Sequence, residues 1–354
     1  MATTVPVSIS SPEAIHVEAV SSEALGWFEA CKTVLAKAKR IALTVHVNPD
    51  GDALGSMLAL AEGLRHWRND WETIDTLVSG KIPDTLLFLQ GSQTVCDVIE
   101  HPELGNTPYD VSICLDCGTE KRLGEVAPIF RAAKTSINMD HHVSNDRFGD
   151  INVVITHATA SGEVVLDFLD YLGVANNPII AQNVYTALIT DTGGFRYSNT
   201  TVKTHVQAAR CLGQGIDHER IYKAIYEDQP KNQKLLLAQA IANARFDCQD
   251  HLAWTSVSLE QRQSLGLLEE HCEGVVDHLR QIQTVWAAAI FKEADDGIKV
   301  SLRSDYHGLS VADVAAQFGG GGHTMASGCF IRKPLAEAER LVITALKKAL
   351  MPLL

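Results

Sequence analysis

No uncharged apolar run in this sequence approaches the roughly 20 residues that a helix needs to cross a bilayer, so the sequence indicates no integral membrane protein. The N-terminal stretch has neither a basic start nor an apolar core, and so does not match a signal peptide. We interpret residues 1–25 as a polar tail and assign no function to it. The chain is expected to be globular and cytoplasmic, because 46% of its 354 residues are hydrophobic and 21% are charged.

Basic residues are also scarce. The chain has 30 lysines and arginines against 43 aspartates and glutamates, which gives a net charge of −13. A protein that binds long duplex nucleic acid normally needs a broad basic surface, and no basic run is present. The charge therefore argues against a long duplex as partner. It does not exclude a short anionic ligand, which a few arginines and metal ions can hold.

The cysteines do not predict a disulfide framework. There are eight, unevenly spaced and without an export signal, which is typical of a reducing compartment. Cys114 and Cys117 have C-x-x-C spacing, but no second pair completes a four-thiolate zinc site. We favour two buried cysteines that flank a functional Asp116, and a redox or zinc pair is the alternative.

Short apolar runs rich in β-branched residues alternate with helical stretches along most of the chain. This alternation predicts an α/β fold, with a mainly parallel sheet covered by helices in a domain over residues 26–231. A linker helix over 232–248 would join it to a smaller α/β domain over 249–354, with a cleft between the two domains. The predicted helices include residues 123–133, 232–246 and 267–281.

Acids and histidines cluster where the predicted strands and helices end. They are His46, Asp50, Asp52, Asp116, Asp140, His141, His142 and Asp191. Ligands of open parallel sheets bind beyond the carboxyl ends of the strands, so these side chains are expected to converge. Two carboxylates about 4 Å apart repel by roughly 4 kcal/mol at an effective dielectric constant near 20, and a divalent cation removes that repulsion.

The ligand types favour particular metals. Aspartates with neutral imidazoles and no thiolate suit Mn²⁺, with Mg²⁺ or Co²⁺ as alternatives. Four carboxylates and two imidazoles, six candidate ligands, exceed the needs of one ion. This favours two ions about 3.5–4 Å apart that share one carboxylate. Each motif also has a purely structural interpretation. Asp50 belongs to a good turn sequence, Asp52 could cap the following helix, and Asp116 and Asp191 could be a loop acid and a helix-terminal acid.

The motifs together resemble a known family, the DHH phosphoesterases. Four segments carry the resemblance: His46-Val-Asn-Pro-Asp-Gly-Asp52, Leu115-Asp-Cys-Gly118, Met139-Asp-His-His142 and Thr190-Asp-Thr-Gly193. In the second domain, Val300-Ser-Leu-Arg-Ser304 and Phe318-Gly-Gly-Gly-Gly-His323 are similar to the DHH-associated substrate-binding domain. The resemblance covers about residue 26 to the C-terminus. It is strongest to the short, two-domain nanoRNase and pAp-phosphatase branch of these RecJ-like proteins.

The resemblance implies a role for each residue of the cluster. His46, Asp50 and Asp116 would hold one Mn²⁺, and Asp52, Asp116, His141 and Asp191 the other, with Asp116 as the bridge. His142 would act beside the scissile phosphate. Asp140 would orient the histidines, as metal-bound imidazoles usually require.

The glycine run in the second domain has an interpretation of its own. Glycines between a helix and a strand let backbone N–H groups approach an anion closely, so Gly320, Gly321 and Gly322 are candidate substrate contacts. Arg303 and His323 would add donors. A flexible linker is the alternative.

The expected function is a manganese-dependent phosphoesterase. The resemblance implies that it would hydrolyse short single-stranded oligoribonucleotides to nucleoside 5′-monophosphates, 3′-phosphoadenosine 5′-phosphate (pAp) to AMP, or both, through attack by a metal-activated hydroxide. The alternatives are a phosphodiesterase for pApA (linear di-AMP), an inorganic pyrophosphatase or polyphosphatase, and a non-catalytic nucleotide-binding module. The sequence leaves open whether the chain forms a homodimer.

Overall fold

The computed structural model describes residues 19–228, 230–272 and 274–354. The chain divides into two compact units, Met1–Asp228 and Gln229–Leu354. Most of the predicted polar tail, residues 1–18, lies outside the described residues. The first helix begins within the predicted tail, at Ser22.

A six-stranded parallel sheet forms the centre of the first unit, in the order β3-β2-β1-β4-β5-β6. The strands are β1 (Arg40–Thr44), β2 (Thr73–Val78), β3 (Val95–Asp97), β4 (Val111–Leu115), β5 (Thr135–Asp140) and β6 (Ile151–Val154). From the central pair, β1 to β3 extend in one direction and β4 to β6 in the other. The carboxyl ends of β1 and β4 therefore form a topological switch point, where ligands of open α/β sheets bind.

Seven α-helices accompany this sheet in the described part of the first unit. They are α1 (Ser22–Leu35), α2 (Gly51–Trp67), α3 (Ala127–Ala132), α4 (Ser161–Tyr171), α5 (Pro178–Asp191), α6 (Val202–Leu212) and α7 (His218–Tyr222). Every residue of β4 is buried, as expected for a strand covered on both faces. Helices α2 and α5 approach each other closely at Gly55. A Cβ atom added there would lie 2.5 Å from the carbonyl oxygen of Asn183.

The second unit is built on another six-stranded sheet, in the order β11-β12-β10-β9-β8-β7, in which only β8 and β9 run parallel. Its strands are β7 (Arg245–Asp247), β8 (Leu252–Val257), β9 (Ala287–Ala294), β10 (Gly297–Ser304), β11 (Gly321–His323) and β12 (Ala326–Ile331). Its helices are α8 (Lys231–Ala242), α9 (Leu259–Ser264), α10 (Val275–Arg280), α11 (Val311–Ala316) and α12 (Leu335–Leu350). The predicted fold class is therefore confirmed.

Three predicted helices are wrong in extent. Residues 267–281 are not one helix: a 3₁₀ turn, Glu269–Cys272, is followed by α10, and Gly274 between them has a left-handed φ of 84°. The helix predicted for 232–246 ends at Ala242, and the chain then pairs as β7 with β8. The stretch 123–133 is broken at Gly124, whose φ of 56° no helix accommodates. In two of the three cases, a left-handed glycine interrupts the helical pattern.

Two further properties concern the described chain as a whole. Across those residues, no helix combines the length and the apolar character that membrane crossing requires. The eight cysteines all lie within the described residues, and no disulfide joins any of them. Cys114 and Cys117 are both buried, and the Cys117 thiol donates to the Thr119 carbonyl at 3.1 Å.

Candidate metal centre

His46 lies just beyond the carboxyl end of β1, and its ring orientation is set by the backbone. Its Nδ1 donates to the carbonyl of Val47 at 2.8 Å, which leaves the lone pair on Nε2. Nε2 lies 3.6 Å from Oδ2 of Asp116 and 3.9 Å from Oδ2 of Asp50. Burial lowers the pKa of His46, although Asp50 opposes the shift. The ring is therefore neutral near pH 7, which is the form that binds a metal ion.

Asp50 and Asp52 are placed by the start of α2. Asp50 caps this helix, since its Oδ1 accepts from the N–H groups of Asp52 and Ala53 at 3.1 and 3.0 Å, while its Oδ2 remains on the His46 side. Asp52 is 1% exposed, and its carboxylate accepts from the backbone N–H groups of Ser161 at 2.7 Å and Gly162 at 2.9 Å. The N-terminus of α4 thus stabilises the buried charge of Asp52.

Asp116 follows β4 directly and lies at the middle of the cluster. Its φ of 53° is in the left-handed region, a strained conformation that is uncommon outside glycine. Its two oxygens face different imidazoles, with Oδ2 near His46 and Oδ1 3.6 Å from Nε2 of His141. Ser161 Oγ donates to Oδ1 at 3.1 Å. Burial, and then the neighbouring Asp52 carboxylate, raise the pKa of Asp116 well above its usual range.

The Asp140-His141-His142 segment ends β5. Asp140 Oδ1 accepts from the His141 N–H at 2.8 Å and from His142 Nδ1 at 2.7 Å, and Asn145 donates its amide to Oδ2. Burial opposes ionisation of Asp140, but the contacts with His142 and Asn145 outweigh it and hold its pKa at about 2. Burial likewise lowers the pKa of His142, and the bond to Asp140 reverses this into a net rise. Asp140 therefore holds the ring of His142 and the backbone N–H of His141.

His141 connects the remaining acids. Its Nδ1 donates to the Ala158 carbonyl at 3.2 Å, so Nε2 carries the lone pair. Nε2 lies 3.7 Å from Asp52 and 3.6 Å from Asp191, the last residue of α5. Burial, and then the Asp52 charge, raise the pKa of Asp191 to about 7.

The cluster has the composition and spacing of a metal centre. Ligand atoms lie within 4.8 Å of one another in three overlapping groups: His46, Asp50 and Asp116; Asp52, His141 and Asp191; and Asp116, Asp140, His141 and His142. Separations of 3.6–3.9 Å between imidazole nitrogen and carboxylate oxygen are too long for hydrogen bonds and suit two ligands of one ion. Burial and neighbouring carboxylates raise the pKa values of Asp52, Asp116 and Asp191, a cost that bound cations would offset. A pair of divalent cations fits these donors.

Sequence reasoning missed the residues that hold the acids in place. Ser161 and Gly162 reach Asp52 across more than 100 positions, and Ser56 Oγ donates to the same carboxylate at 2.9 Å. Arg122 was also missed. Its carbonyl accepts from the Val47 N–H at 2.7 Å, and its positive charge helps to lower the pKa of His46, so this exposed residue acts electrostatically on the centre. The small residues at the start of α4, which include Ser161 and Gly162, are the sequence feature that points to the contact with Asp52.

The candidate substrate residues of the second unit share one face of its sheet. Arg303 on β10 and His323 on β11 are both paired in register with Ala326 of β12, and directly opposed residues point to the same face. Arg303 Nε also donates to Asp277 at 3.1 Å.

The glycine run is only partly a loop, because Gly321–His323 forms the edge strand β11. A Cβ at Gly320 would lie 2.1 Å from the Gly328 carbonyl oxygen, and one at Gly322 would lie 2.6 Å from that of Ala326. Close packing on β12 therefore accounts for two of these glycines without any ligand. Gly321 has an open side, with nothing within 4 Å of an added Cβ, and so has Gly319 at the start of the run.

Comparisons with known proteins cover both units of the chain. Residues 40–190 match the DHH family N-terminal domain, and residues 262–351 match the DHHA1 domain. The bifunctional oligoribonuclease and PAP phosphatase NrnA of Thermus thermophilus is 30% identical over 88% of this chain and 90% of the relative. The protein of the same name from Bacillus subtilis is 26% identical over 85% of this chain and 92% of the relative.

A solved structure is also similar throughout. The crystal structure of an exopolyphosphatase-related protein from Bacteroides fragilis has a TM-score of 0.87 and 27% sequence identity, and the match covers 93% of this chain and 97% of that one. The two matched domains and the full-length relatives agree on one assignment. The chain belongs to the DHH family of phosphoesterases, hydrolases of phosphate esters, with DHHA1 as its second domain.

Proposed function

We propose that this protein is a divalent-metal-dependent phosphoesterase that hydrolyses short oligoribonucleotides to nucleoside 5′-monophosphates and pAp to AMP. The observation that carries the proposal is the convergence of four separate motifs around Asp116, whose two oxygens face His46 and His141. The named activities of the two NrnA relatives supply the substrate class. Their match over most of both chains supports the same substrates here.

The donor geometry suggests how the ligands would be shared. His46, Asp50 and Asp116 would hold one ion, and Asp52, His141 and Asp191, again with Asp116, would hold the second. Two ions bound here supply Lewis acidity, which lowers the pKa of water and stabilises charge on the phosphoryl group. We propose Mn²⁺ because the set mixes aspartates with imidazoles and contains no thiolate.

His142 is proposed to act on the leaving group. Its contact with Asp140 favours the imidazolium, so a proton is available for transfer to the departing oxygen. Asp140 stays ionised throughout, since its pKa is about 2. It would hold the imidazole in one orientation before and after the proton has moved.

Arg122 is proposed to bind a non-bridging oxygen of the scissile phosphate. Its charge acts on both His46 and His142, which lie on the two sides of Asp116. Guanidinium groups match phosphate oxygens in geometry and keep their charge when desolvated. In the second unit, we propose that Arg303, His323 and the open Gly321 contact a further phosphate or base of the substrate.

A substrate panel tests the function. The purified full chain would be incubated with Mn²⁺, Mg²⁺ or Co²⁺ and a labelled dinucleotide, a long single-stranded RNA, pAp, pApA, pyrophosphate or polyphosphate. We expect release of 5′-monophosphates from the dinucleotide and of AMP from pAp, with little turnover of the long RNA. Polyphosphate is included because the solved neighbour is named as exopolyphosphatase-related. Turnover confined to pyrophosphate or polyphosphate would refute the proposal.

A further inference from the structure

Two exposed tyrosines lie against the glycine turn that follows Asp191, one of the candidate metal ligands. Tyr197 is 43% exposed and follows the Asp191 segment, and Tyr222, the last residue of α7, is 48% exposed. Both belong to the first unit. Neither side chain is needed to explain the packing of the apolar core of that unit, which does not include them. Their exposure therefore calls for an explanation of its own.

Both rings lie over the glycines that follow Asp191. A Cβ added at Gly193 would lie 2.4 Å from Cζ of Tyr197, and one added at Gly194 would lie 3.8 Å from Cε2 of Tyr222. Each glycine thus lies close to one of the two aromatic rings. Because Asp191 begins this turn, the rings adjoin the acid that approaches His141.

The turn that carries Tyr197 is held rigidly. The N–H of Gly194 donates to the Ile189 carbonyl at 2.7 Å, and the N–H of Tyr197 donates to the Thr192 carbonyl at 3.0 Å. Phe195 has a φ of 65°, which is strained for a residue other than glycine. Strain of this kind is retained where the surrounding structure over-determines the backbone, and it concentrates at functional sites.

Tyr222 is anchored from the other side. Its ring lies 4.8 Å from that of Tyr226, measured between ring centroids, and the Tyr226 hydroxyl donates to the Ile189 carbonyl at 2.7 Å. The segment Lys223–Glu227 is a π-helix, a rare conformation that is frequent at functional sites. Both rings are therefore fixed to the end of α5, the helix that presents Asp191.

We propose that Tyr197 and Tyr222 form a stacking platform for a nucleobase of the substrate, beside the phosphate bound at the metal centre. The proposal rests on the proposed function and adds the group that recognises a nucleotide as opposed to an inorganic phosphate. Aromatic side chains stack on any base, because every base has a π face. The exposed Arg196, whose Nε donates to the Gly193 carbonyl at 2.6 Å, places a cation on the same turn for the adjoining phosphate.

Binding of AMP and of ribose 5-phosphate, which differ only by the base, tests the platform without requiring turnover. With Mn²⁺ present, calorimetry on the full chain should show that AMP binds at least about fivefold more tightly. Tyr197→Ala and Tyr222→Ala should each weaken AMP binding about 5- to 100-fold and leave ribose 5-phosphate unchanged. Tyr197→Phe, which keeps the ring, should restore most of the affinity. Phe246→Ala removes a ring that is 42% exposed in the second unit, and it serves as the matched control.

Three results would overturn the platform: equal affinities of the wild-type chain for the two ligands, an unchanged AMP preference in both alanine variants, or equal loss of both ligands. Equal loss of both ligands would show that the tyrosines have a structural role. The melting temperature of each variant would be measured alongside to detect this. A chain that prefers AMP through these tyrosines and yet hydrolyses none of the nucleotides would refute the proposed function and leave the platform standing.

Discussion

Asp116 is the residue on which the other charged groups of the metal centre converge. Its left-handed backbone turns the side chain so that one oxygen faces His46 and the other faces His141, and Ser161 supports the second oxygen. A carboxylate so deeply buried among other acids is costly unless cations offset it. The residue therefore combines a left-handed backbone with an electrostatic cost that bound cations would offset.

The first prediction concerns this carboxylate. Asp116→Asn should lower kcat by about 1,000-fold or more, because an amide would replace the carboxylate that is proposed to be shared by the two ions. Without metal, the variant should melt at or above the wild-type temperature, since one repelling charge is gone. Steady-state kinetics and thermal melts in EDTA measure both effects. Asp84→Asn, at an exposed 3₁₀ position, is the control, and near-normal activity of Asp116→Asn would contradict the two-metal proposal.

Arg122 allows a second test at this scale. Arg122→Gln should reduce kcat/KM about 10- to 100-fold, because a charge that stabilises the phosphate is lost, and Arg122→Lys should recover part of the loss. Arg131→Gln provides a control, since Arg131 is exposed and paired with Glu120 on the same segment. Equal activity of the Arg122 and Arg131 variants would exclude the proposed phosphate contact.

At the scale of elements, the site depends on how closely α2 and α5 approach. Asp52 lies in the first turn of α2 and Asp191 at the end of α5, so their distance from His141 follows from the packing of these helices. The absence of a side chain at Gly55 permits this packing, since an added Cβ would meet the backbone of Asn183.

A third prediction follows for this helix pair. Gly55→Ala should destabilise the chain by about 1–3 kcal/mol, because the helices must separate, and it should also reduce metal affinity. Gly26→Ala, in α1 and with nothing within 4 Å of the new methyl group, should be neutral or stabilising by about 0.5–1 kcal/mol. Urea unfolding and Mn²⁺ titration measure these changes. A Gly55→Ala chain as stable as the Gly26→Ala chain would show that the approach of the helices is not limiting.

Asp110 connects the strands that carry the site. Its Oδ2 accepts from the N–H groups of Lys39 and Arg40 at 2.8 and 3.0 Å, and its Oδ1 accepts from the Lys134 amine at 2.7 Å. The Lys134 contact and then the Lys39 N–H hold the pKa of Asp110 at about 2. The carboxylate thus joins the start of β1 to the segment that leads into β4.

The fourth prediction is the pH dependence of this contact. Because the folded pKa lies below the unfolded value of about 3.9, Asp110 stabilises the chain fully above pH 4 and loses that contribution as the pH falls towards 2. Asp110→Asn should cost about 1–3 kcal/mol at pH 7, and the difference from wild type should shrink at pH 3. Urea unfolding at both values measures this, with exposed Glu100→Gln as control. A difference that grows on acidification would contradict the assignment.

At the scale of the whole molecule, each unit has a sheet and a buried core of its own, and the candidate ligands all lie in the first. The net charge of −13 adds to the local repulsion in that unit. A divalent cation that binds only the folded centre should therefore stabilise the first unit selectively.

The fifth prediction is a selective thermal shift. At about 100 times its Kd, Mn²⁺ should add about 2.7 kcal/mol to the stability of the first unit and raise its Tm by about 5–10 °C. Calorimetry of the full chain after EDTA treatment and after Mn²⁺ addition measures the shift. Asp116→Asn should abolish it. An equal shift in that variant would mean that the ion binds elsewhere.

Much of the fold and of the candidate metal centre could be predicted from the sequence, because the patterns that indicate them are local. Alternating apolar strands and helices indicated a parallel sheet, and acids at strand ends indicated a shared edge. The helix over residues 267–281 was wrong because periodicity does not report a left-handed residue such as Gly274. Likewise, two glycines of the run at 320–322 are explained by their closeness to β12, a partner that the local sequence does not reveal.

The sequence by itself determined which chemical groups the protein carries and in which order, and hence its family, because motif spacing is a property of the chain. Only the tertiary structure determined which distant residues hold these chemical groups in place. Ser161 meets Asp52, and Tyr226 meets the end of α5, only after distant segments pack together. Such contacts follow from packing geometry, which no short-range pattern encodes.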